Sequence, residues 1–330
     1  MNGYKPGLLS VCCLGYNHAK FAADCINAIF ACRYPDIEII VLDDGSKDDS
    51  FEVLNEIKRR SKFPIELIFQ ENTGNIGYNL NKMIRSARGE FISFMALDDV
   101  WITRAVEKNI EYMLTSKDIA FVASSEIEAV DDSCNPCPED APKLGLSLVA
   151  NPSIEDLLEF EYDEFGSFFI QGVIFRKKII DDVNGYDEDM LGDDIILRTK
   201  VFSYVKAHPC YNFKIVSYPT CLYRRHGSNI SKNGARQLKI VAQYLERYWP
   251  GRKNPKLLTK WMLWGMKNCS YKDVYKLIFY NRRTKRLLFD PKIIIALIKR
   301  STRFIYHKQT IGQHRVITLF MCWSITYRKR

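Results

Sequence analysis

Short apolar runs alternate with helix-patterned segments in the first part of the chain, and this alternation restricts the fold more than any other sequence feature. The runs have the length and composition of buried strands, and they are LLSVCCL (8–14), IEIIVL (37–42), IELIF (65–69), FISFM (91–95) and IAFVA (119–123). Strands separated by helices pair in parallel through right-handed crossovers. The sequence therefore predicts an α/β fold in which a mostly parallel sheet carries helices on both faces.

Three segments between these strands place apolar residues on one helical face. The positions predicted to be buried in the three helices are Ala22, Cys25, Ile26, Ile29 and Phe30; Phe51, Leu54 and Ile57; and Val106, Ile110, Met113 and Leu114. Ligands of such sheets collect at the carboxyl ends of the strands. The polar residues that follow each strand are therefore the candidates for a binding site.

Charge is distributed unevenly along the 330 residues. Residues 251–330 contain 20 Lys and Arg against 2 Asp and Glu, whereas the rest of the chain contains 28 against 37. We therefore predict an acidic domain over residues 1–234 and a basic, helical region over residues 235–330. No apolar stretch reaches the roughly 18 residues of a spanning helix, and the first apolar run is better explained as a strand than as a secretion signal. We expect a cytoplasmic protein.

The ten cysteines are scattered, and several lie in predicted core elements, where a free thiol behaves as a small apolar group. Cys134 and Cys137 have the spacing of metal ligands. A zinc site would need a second pair or a nearby histidine, so we expect two reduced thiols there instead.

The segment VLDDGSKDDS (41–50) puts Asp43 and Asp44 at the end of the second strand. A carboxylate there can hydrogen-bond a nucleobase or a ribose hydroxyl while the glycine lets the backbone approach the ligand. The same residues are also typical of an ordinary turn that begins a helix. The segment by itself does not decide between the two.

The segment FMALDDVW (94–101) puts Asp98 and Asp99 at the end of a buried strand. Two adjacent carboxylates are costly there unless a cation neutralises them, and a divalent ion with oxygen ligands would do so while holding a diphosphate. A solvated turn with an aspartate at the helix start explains the pattern equally well.

Five segments in order resemble the motifs of the family-two glycosyltransferases, and they are SVCCLGYN, VLDDGSKDDS, ENTGNIGYNLNKMIRSARGEFISFMALDDVW, QGVIFRKKIIDDVNGYDEDMLGDDIILR and YRRHGSNIS. The resemblance covers roughly residues 8–231. It implies a Rossmann-like sheet of the glycosyltransferase A type, with a nucleotide-sugar half over residues 1–125 and an acceptor half over residues 126–234. Neither the QxxRW motif nor the spanning segments of processive members are found, which favours the addition of a single sugar.

The resemblance implies which residues bind the donor. Tyr16 would lie against the nucleobase, Asp44 would hydrogen-bond the base, and Asp43 and Ser46 would shape that pocket. The remaining residues expected to contact the donor are Asn17, Gly74, Asn81, Lys82 and Arg225, with Arg224 as the alternative to Arg225 for a phosphate contact. Uridine is the commonest base of the family.

The resemblance also implies a metal site and a catalytic base. Asp98, Asp99 and His226 would bind Mn²⁺ or Mg²⁺, although Ala96 stands where many members have a first carboxylate, which puts the ribose contact in doubt. In LGDDIILR, Asp194 matches the base that deprotonates the acceptor hydroxyl, with Asp193 beside it. An acidic pair that complements a helix dipole is the structural alternative. The other histidines are expected to be ordinary loop residues, His18 least securely.

The helix expected at 291–305 aligns Lys292, Lys299 and Arg303 along one edge and apolar residues on the other side, and such a helix can bind an anionic membrane surface. It can equally pack its apolar side on the catalytic domain. The excess of basic residues in the tail favours membrane attachment on the cytoplasmic face. We do not expect nucleic acid to be the partner, because the tail lacks a known binding motif and the strand-end carboxylates repel phosphates.

The sequence thus predicts an inverting, metal-dependent enzyme that transfers one sugar from a nucleotide sugar to a hydroxyl of a polyprenyl-linked or growing surface glycan. Two alternatives are kept. A sugar nucleotidyltransferase would use a similar sheet, but a Gly-rich, basic phosphate loop is absent from LSVCCLGYNHAK. A non-catalytic protein docked on a membrane or nucleic acid through its tail would transfer no sugar.

Overall fold

The computed structural model describes residues 3–142, 144–149, 151–227, 229, 233–311, 314–319 and 323–328. The chain divides into two compact units, residues 1–232 and residues 233–330. No helix in the described part of the chain combines the length and the hydropathy needed to cross a membrane.

The first unit contains ten strands and seven α-helices among its described residues. The strands are β1 (Lys5–Gly15), β2 (Ile37–Asp43), β3 (Ile65–Phe69), β4 (Gly89–Ala96), β5 (Val100–Trp101), β6 (Ile119–Ser124), β7 (Glu128–Val130), β8 (Ile174–Arg176), β9 (Asn212–Val216) and β10 (Cys221–Arg224). The helices are α1 (Ala19–Phe30), α2 (Ser50–Arg59), α3 (Ile76–Ser86), α4 (Thr103–Thr115), α5 (Ile154–Asp163), α6 (Lys177–Asp182) and α7 (Asp194–Ala207). All five strands predicted from apolar runs are confirmed.

Seven strands form the central sheet in the order β3-β2-β1-β4-β8-β6-β9. Strand β8 runs antiparallel to β4 and to β6, whereas the other neighbouring pairs are parallel. The predicted mostly parallel α/β sheet is therefore confirmed. Every residue of β2 is buried, as expected for a central strand that helices cover on both faces.

Two apolar positions of the predicted helix faces are not in the core. Phe51 is 55% exposed and Leu114 is 47% exposed, so the prediction of their burial was wrong. In α4, Ala105 and Asn109 are buried together with Met113, which centres the buried face away from Leu114. Phe51 contacts Phe69 of the edge strand β3, with ring centroids 4.6 Å apart, where no further strand continues the sheet.

A second, small sheet determines where the loop after β4 meets the loop after β10. Strand β10 pairs antiparallel with β5 and parallel with β7, so that Cys221 lies opposite Trp101 and Arg224 lies opposite Val130. Trp101 is almost completely buried and anchors β5 directly after Asp98 and Asp99. This sheet therefore brings the residues that follow β10 beside the two aspartates.

The second unit is helical only up to Ile305. Its helices are α8 (Gly234–Tyr248), α9 (Lys256–Asn268), α10 (Tyr271–Ile278), α11 (Arg282–Arg286) and α12 (Pro291–Ile305), and its strands are β11 (Tyr306–Ile311), β12 (His314–Leu319) and β13 (Trp323–Arg328). The three strands form an antiparallel sheet, so the prediction of a helical region up to residue 330 was wrong at its end. The segment is rich in β-branched and aromatic residues, which favour extended backbone.

Candidate active site

Asp44 organises the loop that follows β3. Its buried carboxylate accepts hydrogen bonds from Gln70 Nε2 at 2.9 Å, from the backbone N and Oγ1 of Thr73 at 2.9 and 3.0 Å, and from Gly74 N at 3.1 Å. These four donors occupy about as many sites as an ionised carboxylate offers. A nucleobase bound at Asp44, as the motif resemblance implies, would have to share these oxygens with the loop.

Asn17, Asp43 and Ser46 join the ends of β1 and β2. Asp43 accepts from the backbone N of Ser46 at 2.8 Å and from its Oγ at 2.5 Å, and Ser46 Oγ accepts from Asn17 N at 2.7 Å. Asn17 Oδ1 accepts from Lys47 N at 2.7 Å, and Asn17 has a φ of 56°, in the left-handed region that asparagine tolerates. Tyr16, at the same turn, exposes 42% of its surface, so its ring is open to a ligand.

The predicted donor contacts in α3 already make bonds within the protein. Lys82 Nζ donates to Gln70 Oε1 at 2.8 Å, which connects it to the Asp44 loop. Asn81 bonds the backbone of Tyr186 in both directions, at 2.9 and 2.8 Å, and donates to Glu188 Oε1 at 2.9 Å. The amide of Asn81 therefore holds α3 to the segment after α6, a structural role that the sequence does not indicate.

Asp98 meets two histidines from distant parts of the chain. His226 Nε2 lies 2.9 Å from Asp98 Oδ2, and His18 Nε2 lies 3.7 Å from the same oxygen. The three possible ligand atoms lie within 4.8 Å of one another. Asp98 and His226 thus come together as predicted. His18, expected to be an ordinary loop residue, joins them.

Asp99 lies outside this cluster. Its Oδ1 accepts a hydrogen bond at 2.9 Å from the backbone N of Arg224, and its side chain is buried. Burial, and then the negative charge of Asp98, raise the pKa of Asp99 well above its ordinary value. The adjacent carboxylates of the sequence therefore have different environments, and only Asp98 faces the imidazoles.

The pKa of Asp98 is shifted in the opposite direction. Burial raises it, but the hydrogen bond with His226 and the positive charges that the two imidazoles carry in acid outweigh burial, so the pKa of Asp98 lies below its ordinary value. Burial lowers the pKa of His18 despite the attraction of Asp98. The cluster therefore combines an ionised carboxylate with a neutral imidazole at neutral pH, and these are the forms that bind a metal ion.

Arg224 and Arg225 have different environments. Arg224 is buried, and its guanidinium donates to Asp98 O at 2.8 Å, to Asp132 O at 2.6 Å and to Asp24 Oδ2 at 2.9 Å. Arg224 therefore connects the loop after β4 to the loop after β7 and to α1. Arg225 donates to Tyr223 at 3.3 Å, while its buried Nε lacks a hydrogen-bond partner among the described residues. Arg225 is therefore the better placed of the two for a bound anion.

Asp193 and Asp194 form the beginning of α7. Asp193 is the N-cap, and its Oδ1 accepts from Asp194 N at 2.8 Å. Asp194 lies 3.9 Å from Arg198, which is itself held at 2.7 Å by the fully buried Glu161. Burial, and then the charge of Asp193, raise the pKa of Asp194 to about 8. Its side chain nevertheless keeps 30% of its surface exposed, so a proton can reach it.

Asp194 also lies within electrostatic reach of the Asp98 loop, because its charge contributes to the raised pKa of Asp99. The loop after β4 and the beginning of α7 therefore contribute carboxylates to one acidic region. Asp43, at the end of β2, acts electrostatically on His18 in the loop after β1. His18 was not predicted to join this cluster, because a single histidine in a loop is not by itself evidence of a metal ligand. Its position at the end of β1, where ligands of such sheets bind, could have indicated it.

Residues 10–180 match the sequence profile of glycosyl transferase family 2. This match spans half of the chain. The chain belongs to glycosyl transferase family 2. The resemblance to the family-two glycosyltransferases, and the glycosyltransferase class that it implied, are thereby confirmed.

Two curated relatives show how far the similarity extends. An uncharacterized glycosyltransferase of Nostoc, alr2836, is 31% identical over 143 residues, which are 43% of this chain and 44% of that protein. The Escherichia coli protein WfaP, a UDP-Glc:α-D-GlcNAc-diphosphoundecaprenol β-1,3-glucosyltransferase, is 28% identical over 110 residues, or 33% of this chain and 43% of WfaP. The matched region thus spans less than half of each relative.

Solved structures share the fold at low sequence identity. The S. aureus TarS 1–349 complex with UDP-GlcNAc has a TM-score of 0.59 and 14% identity, covering 94% of this chain and 97% of that one. The mannosyltransferase PcManGT of Pyrobaculum calidifontis, in complex with GDP-Man and Mn²⁺, has a TM-score of 0.53 and 15% identity, covering 92% and 88%. The fold that this chain shares with these two structures therefore extends over most of its length.

Proposed function

We propose that this protein is an inverting, metal-dependent glycosyltransferase that adds a single sugar to a hydroxyl of a lipid-linked or growing surface glycan. The observation that carries the proposal is the cluster of His18, Asp98 and His226, from the loops after β1, β4 and β10, in a chain of glycosyl transferase family 2. Residues 1–234 would be the catalytic domain.

A divalent ion, Mn²⁺ or Mg²⁺, would bind at Asp98 and His226. The donor set fits such an ion, because Asp98 is ionised and His226 Nε2 faces its Oδ2 at 2.9 Å. When bound, the ion would hold the diphosphate and stabilise the charge that develops on the departing nucleotide. The Mn²⁺ present in the PcManGT complex supports this choice. Asp99 would support the loop through Arg224.

The nucleotide would bind at the loops after β1 and β2. Tyr16 offers an exposed ring for stacking, and Asp43, Asp44 and Ser46 keep the loops in place around it. The guanidinium of the half-buried Arg225 would donate to a phosphate oxygen. We infer a UDP-sugar donor, because TarS binds UDP-GlcNAc and WfaP is named for UDP-Glc.

Asp194 would be the catalytic base. An acceptor hydroxyl is a weak nucleophile until its proton is removed, and a carboxylate with a pKa near 8 is a much better proton acceptor than an ordinary one. The acceptor oxygen would form a bond to the anomeric carbon while the bond to the diphosphate breaks, and Asp194 would take the hydroxyl proton. A single in-line displacement of this kind inverts the anomeric configuration.

Attachment to an anionic membrane on its cytoplasmic face would bring the basic unit near a lipid-linked acceptor. In α12, Ile294, Ile295 and Ile298 are exposed beside Lys292, a combination that suits a membrane surface. The side chains of residues 301–305, including the predicted Arg303, lie outside the described residues. The acceptor named for WfaP is diphosphoundecaprenol-linked, which supports the same class of acceptor here.

The test is a screen of nucleotide sugars for Mn²⁺-dependent release of free nucleotide. We expect Asp194→Asn to lose turnover by a factor of about 10² to 10⁴ while it still binds the donor. Asp98→Ala should instead lose the metal-dependent part of donor binding. Asp163→Asn, an exposed residue at the end of α5, is the matched control and should behave as wild type. A fully active Asp194→Asn would remove the base assignment.

A further inference from the structure

We propose that His18 is a third protein ligand of the metal ion, so that two imidazoles and one carboxylate bind it. The proposal rests on the proposed function, since it extends the metal site of Asp98 and His226. It adds a residue that the family motifs do not supply. It also predicts which ions the site selects.

The distance between His18 and Asp98 is the first argument. At 3.7 Å, His18 Nε2 is too far from Asp98 Oδ2 for a hydrogen bond. Two atoms that bind one ion at about 2.1 Å each lie at most about 4.2 Å apart, so this separation suits a shared ion. The three ligand atoms lie within 4.8 Å of one another, and small side-chain rotations would bring all of them into range.

Burial is the second argument. The side chains of His18, Asp98 and His226 are only 18%, 12% and 4% exposed. His18 Nδ1 is buried without a hydrogen-bond partner among the described residues, whereas Nε2 faces Asp98. Placing an imidazole beside a buried carboxylate without a hydrogen bond between them is costly. A bound ion would remove that cost.

Local packing holds the His18 ring in this position. The backbone O of His18 accepts from Phe21 N and Ala22 N at 2.9 Å, which anchors it at the start of α1. The Phe21 ring lies against both imidazoles, with centroids 4.9 Å from His226 and 6.4 Å from His18. The guanidinium of Arg224 covers Phe21 at 4.7 Å. Contact with the same phenyl ring therefore restricts the orientation of both imidazoles.

This set of ligands predicts which divalent ion the site binds more tightly. Mg²⁺ prefers oxygen ligands and keeps several waters, whereas imidazole nitrogen is a common ligand of first-row transition ions. Two histidines and one carboxylate leave the remaining coordination positions open, as a diphosphate requires. We therefore expect Mn²⁺ to bind more tightly than Mg²⁺, with His18 responsible for part of the difference.

The first experiment is a metal titration of the wild-type protein, repeated with two histidine variants. The five histidines are labelled with ¹⁵N, and the ring nitrogens are observed while Zn²⁺, a diamagnetic ion, is added. We expect the Nε2 signals of two histidines to shift together at one equivalent, with His18→Gln and His226→Gln each removing one of them. A shift of a single imidazole, or of none, would overturn the proposal.

The second experiment measures Mn²⁺ binding from the loss of the free-ion signal in electron paramagnetic resonance. His18→Gln should weaken Mn²⁺ binding by about tenfold or more and leave Mg²⁺ binding, measured by competition, nearly unchanged. His208→Gln, at the end of α7, is the matched control. Unchanged Mn²⁺ binding in His18→Gln together with lost binding in Asp98→Ala would overturn only the role of His18. Unchanged binding in both variants would also remove the proposed metal site.

Discussion

Three carboxylates of the candidate site differ in the number of donors that surround them. Asp44 accepts four hydrogen bonds, Asp98 faces two imidazoles, and Asp194 has one long contact to Arg198. Donors stabilise the ionised form, whereas burial destabilises it. The same residue type therefore serves as a structural anchor at Asp44, as a proposed ligand at Asp98 and as a proposed base at Asp194.

Asp194→Asn should stabilise the protein at alkaline pH. The folded-state pKa of about 8 lies above the ordinary value of 3.8, so the folded state holds its proton more tightly than the unfolded state does. The contribution of Asp194 to stability is therefore complete below pH 4 and is lost as the pH rises towards 8. The free energy of unfolding of the variant, relative to wild type, should rise over this range in urea titrations.

The control for this measurement is Asp163→Asn, whose difference from wild type should not change with pH. A constant difference for Asp194→Asn would contradict the raised pKa. The stabilisation, if found, would mean that a residue needed for catalysis is held at a cost to the fold, as is common at active sites.

Gly45→Ala should disturb the donor loops. Gly45 has a φ of +75°, and a Cβ there would lie 2.5 Å from the backbone N of Asn72. A left-handed alanine costs about 1 kcal/mol or more, and backbone atoms cannot move aside cheaply. We expect a lower melting temperature and weaker nucleotide binding, measured by calorimetry. Gly251→Ala, whose Cβ would meet no atom within 4 Å, should leave both unchanged.

At the level of elements, β5 and β10 determine the candidate site more than any helix does. The pairing of Trp101 with Cys221 brings His226 beside Asp98, although the two residues lie 128 positions apart. A two-residue strand has too little sequence for a periodicity to indicate it. The strand pairing that assembles the site was therefore not predictable, although the long strands that carry the loops were.

Away from the candidate site, the buried carboxylate of Glu38 forms a hydrogen-bonded and ionic network with residues in or next to neighbouring inner strands. Glu38 accepts from Ser10 Oγ at 2.7 Å, from Arg88 N at 2.7 Å and from the Arg88 guanidinium at 2.8 Å. Burial raises the pKa of Glu38, but these hydrogen bonds outweigh it and lower the pKa overall. The network joins the middle of β1 to the beginnings of β2 and β4, whereas the residues of the proposed site follow the ends of the strands.

Glu38→Gln should therefore lower the free energy of unfolding at pH 7 by about 1 to 3 kcal/mol, since an amide replaces a charged acceptor. Because the folded-state pKa of Glu38 is lowered, its stabilisation is present above the ordinary pKa and is lost as the pH falls below it. The variant and wild type should thus converge in acid. Glu56→Gln, in an exposed pair on α2, is the matched control. A loss equal at every pH would argue against the network.

At the scale of the whole molecule, the two units differ in net charge. Residues 251–330 carry 20 basic and 2 acidic residues, whereas the rest of the chain is net acidic. The exposed side chains of the basic unit include Phe289, at 84%, and Ile298, at 58%. Exposed apolar groups among positive charges are typical of a surface that binds anionic lipid.

Reversing two of these charges should weaken membrane binding. We expect Lys292→Glu with Lys299→Glu to lower the affinity for phosphatidylglycerol vesicles by at least about tenfold, with little effect on sugar transfer to a soluble acceptor. Lys58→Glu with Lys117→Glu, in the acidic unit, is the matched control. Binding should fall with rising salt in wild type. Equal binding by both double variants would contradict attachment through α12.

Local periodicity by itself determined the strands, the mostly parallel sheet and the loops that carry Asp44, Asp98 and Asp194, because each depends on neighbours within a few positions. The order of the five sequence motifs separately indicated the family. The tertiary structure alone decided that His18 joins Asp98 and His226, that Asp99 is held by Arg224, and that Asn81 holds α3. These contacts depend on strand pairing between distant segments, and such pairing produces no periodic pattern in the local sequence.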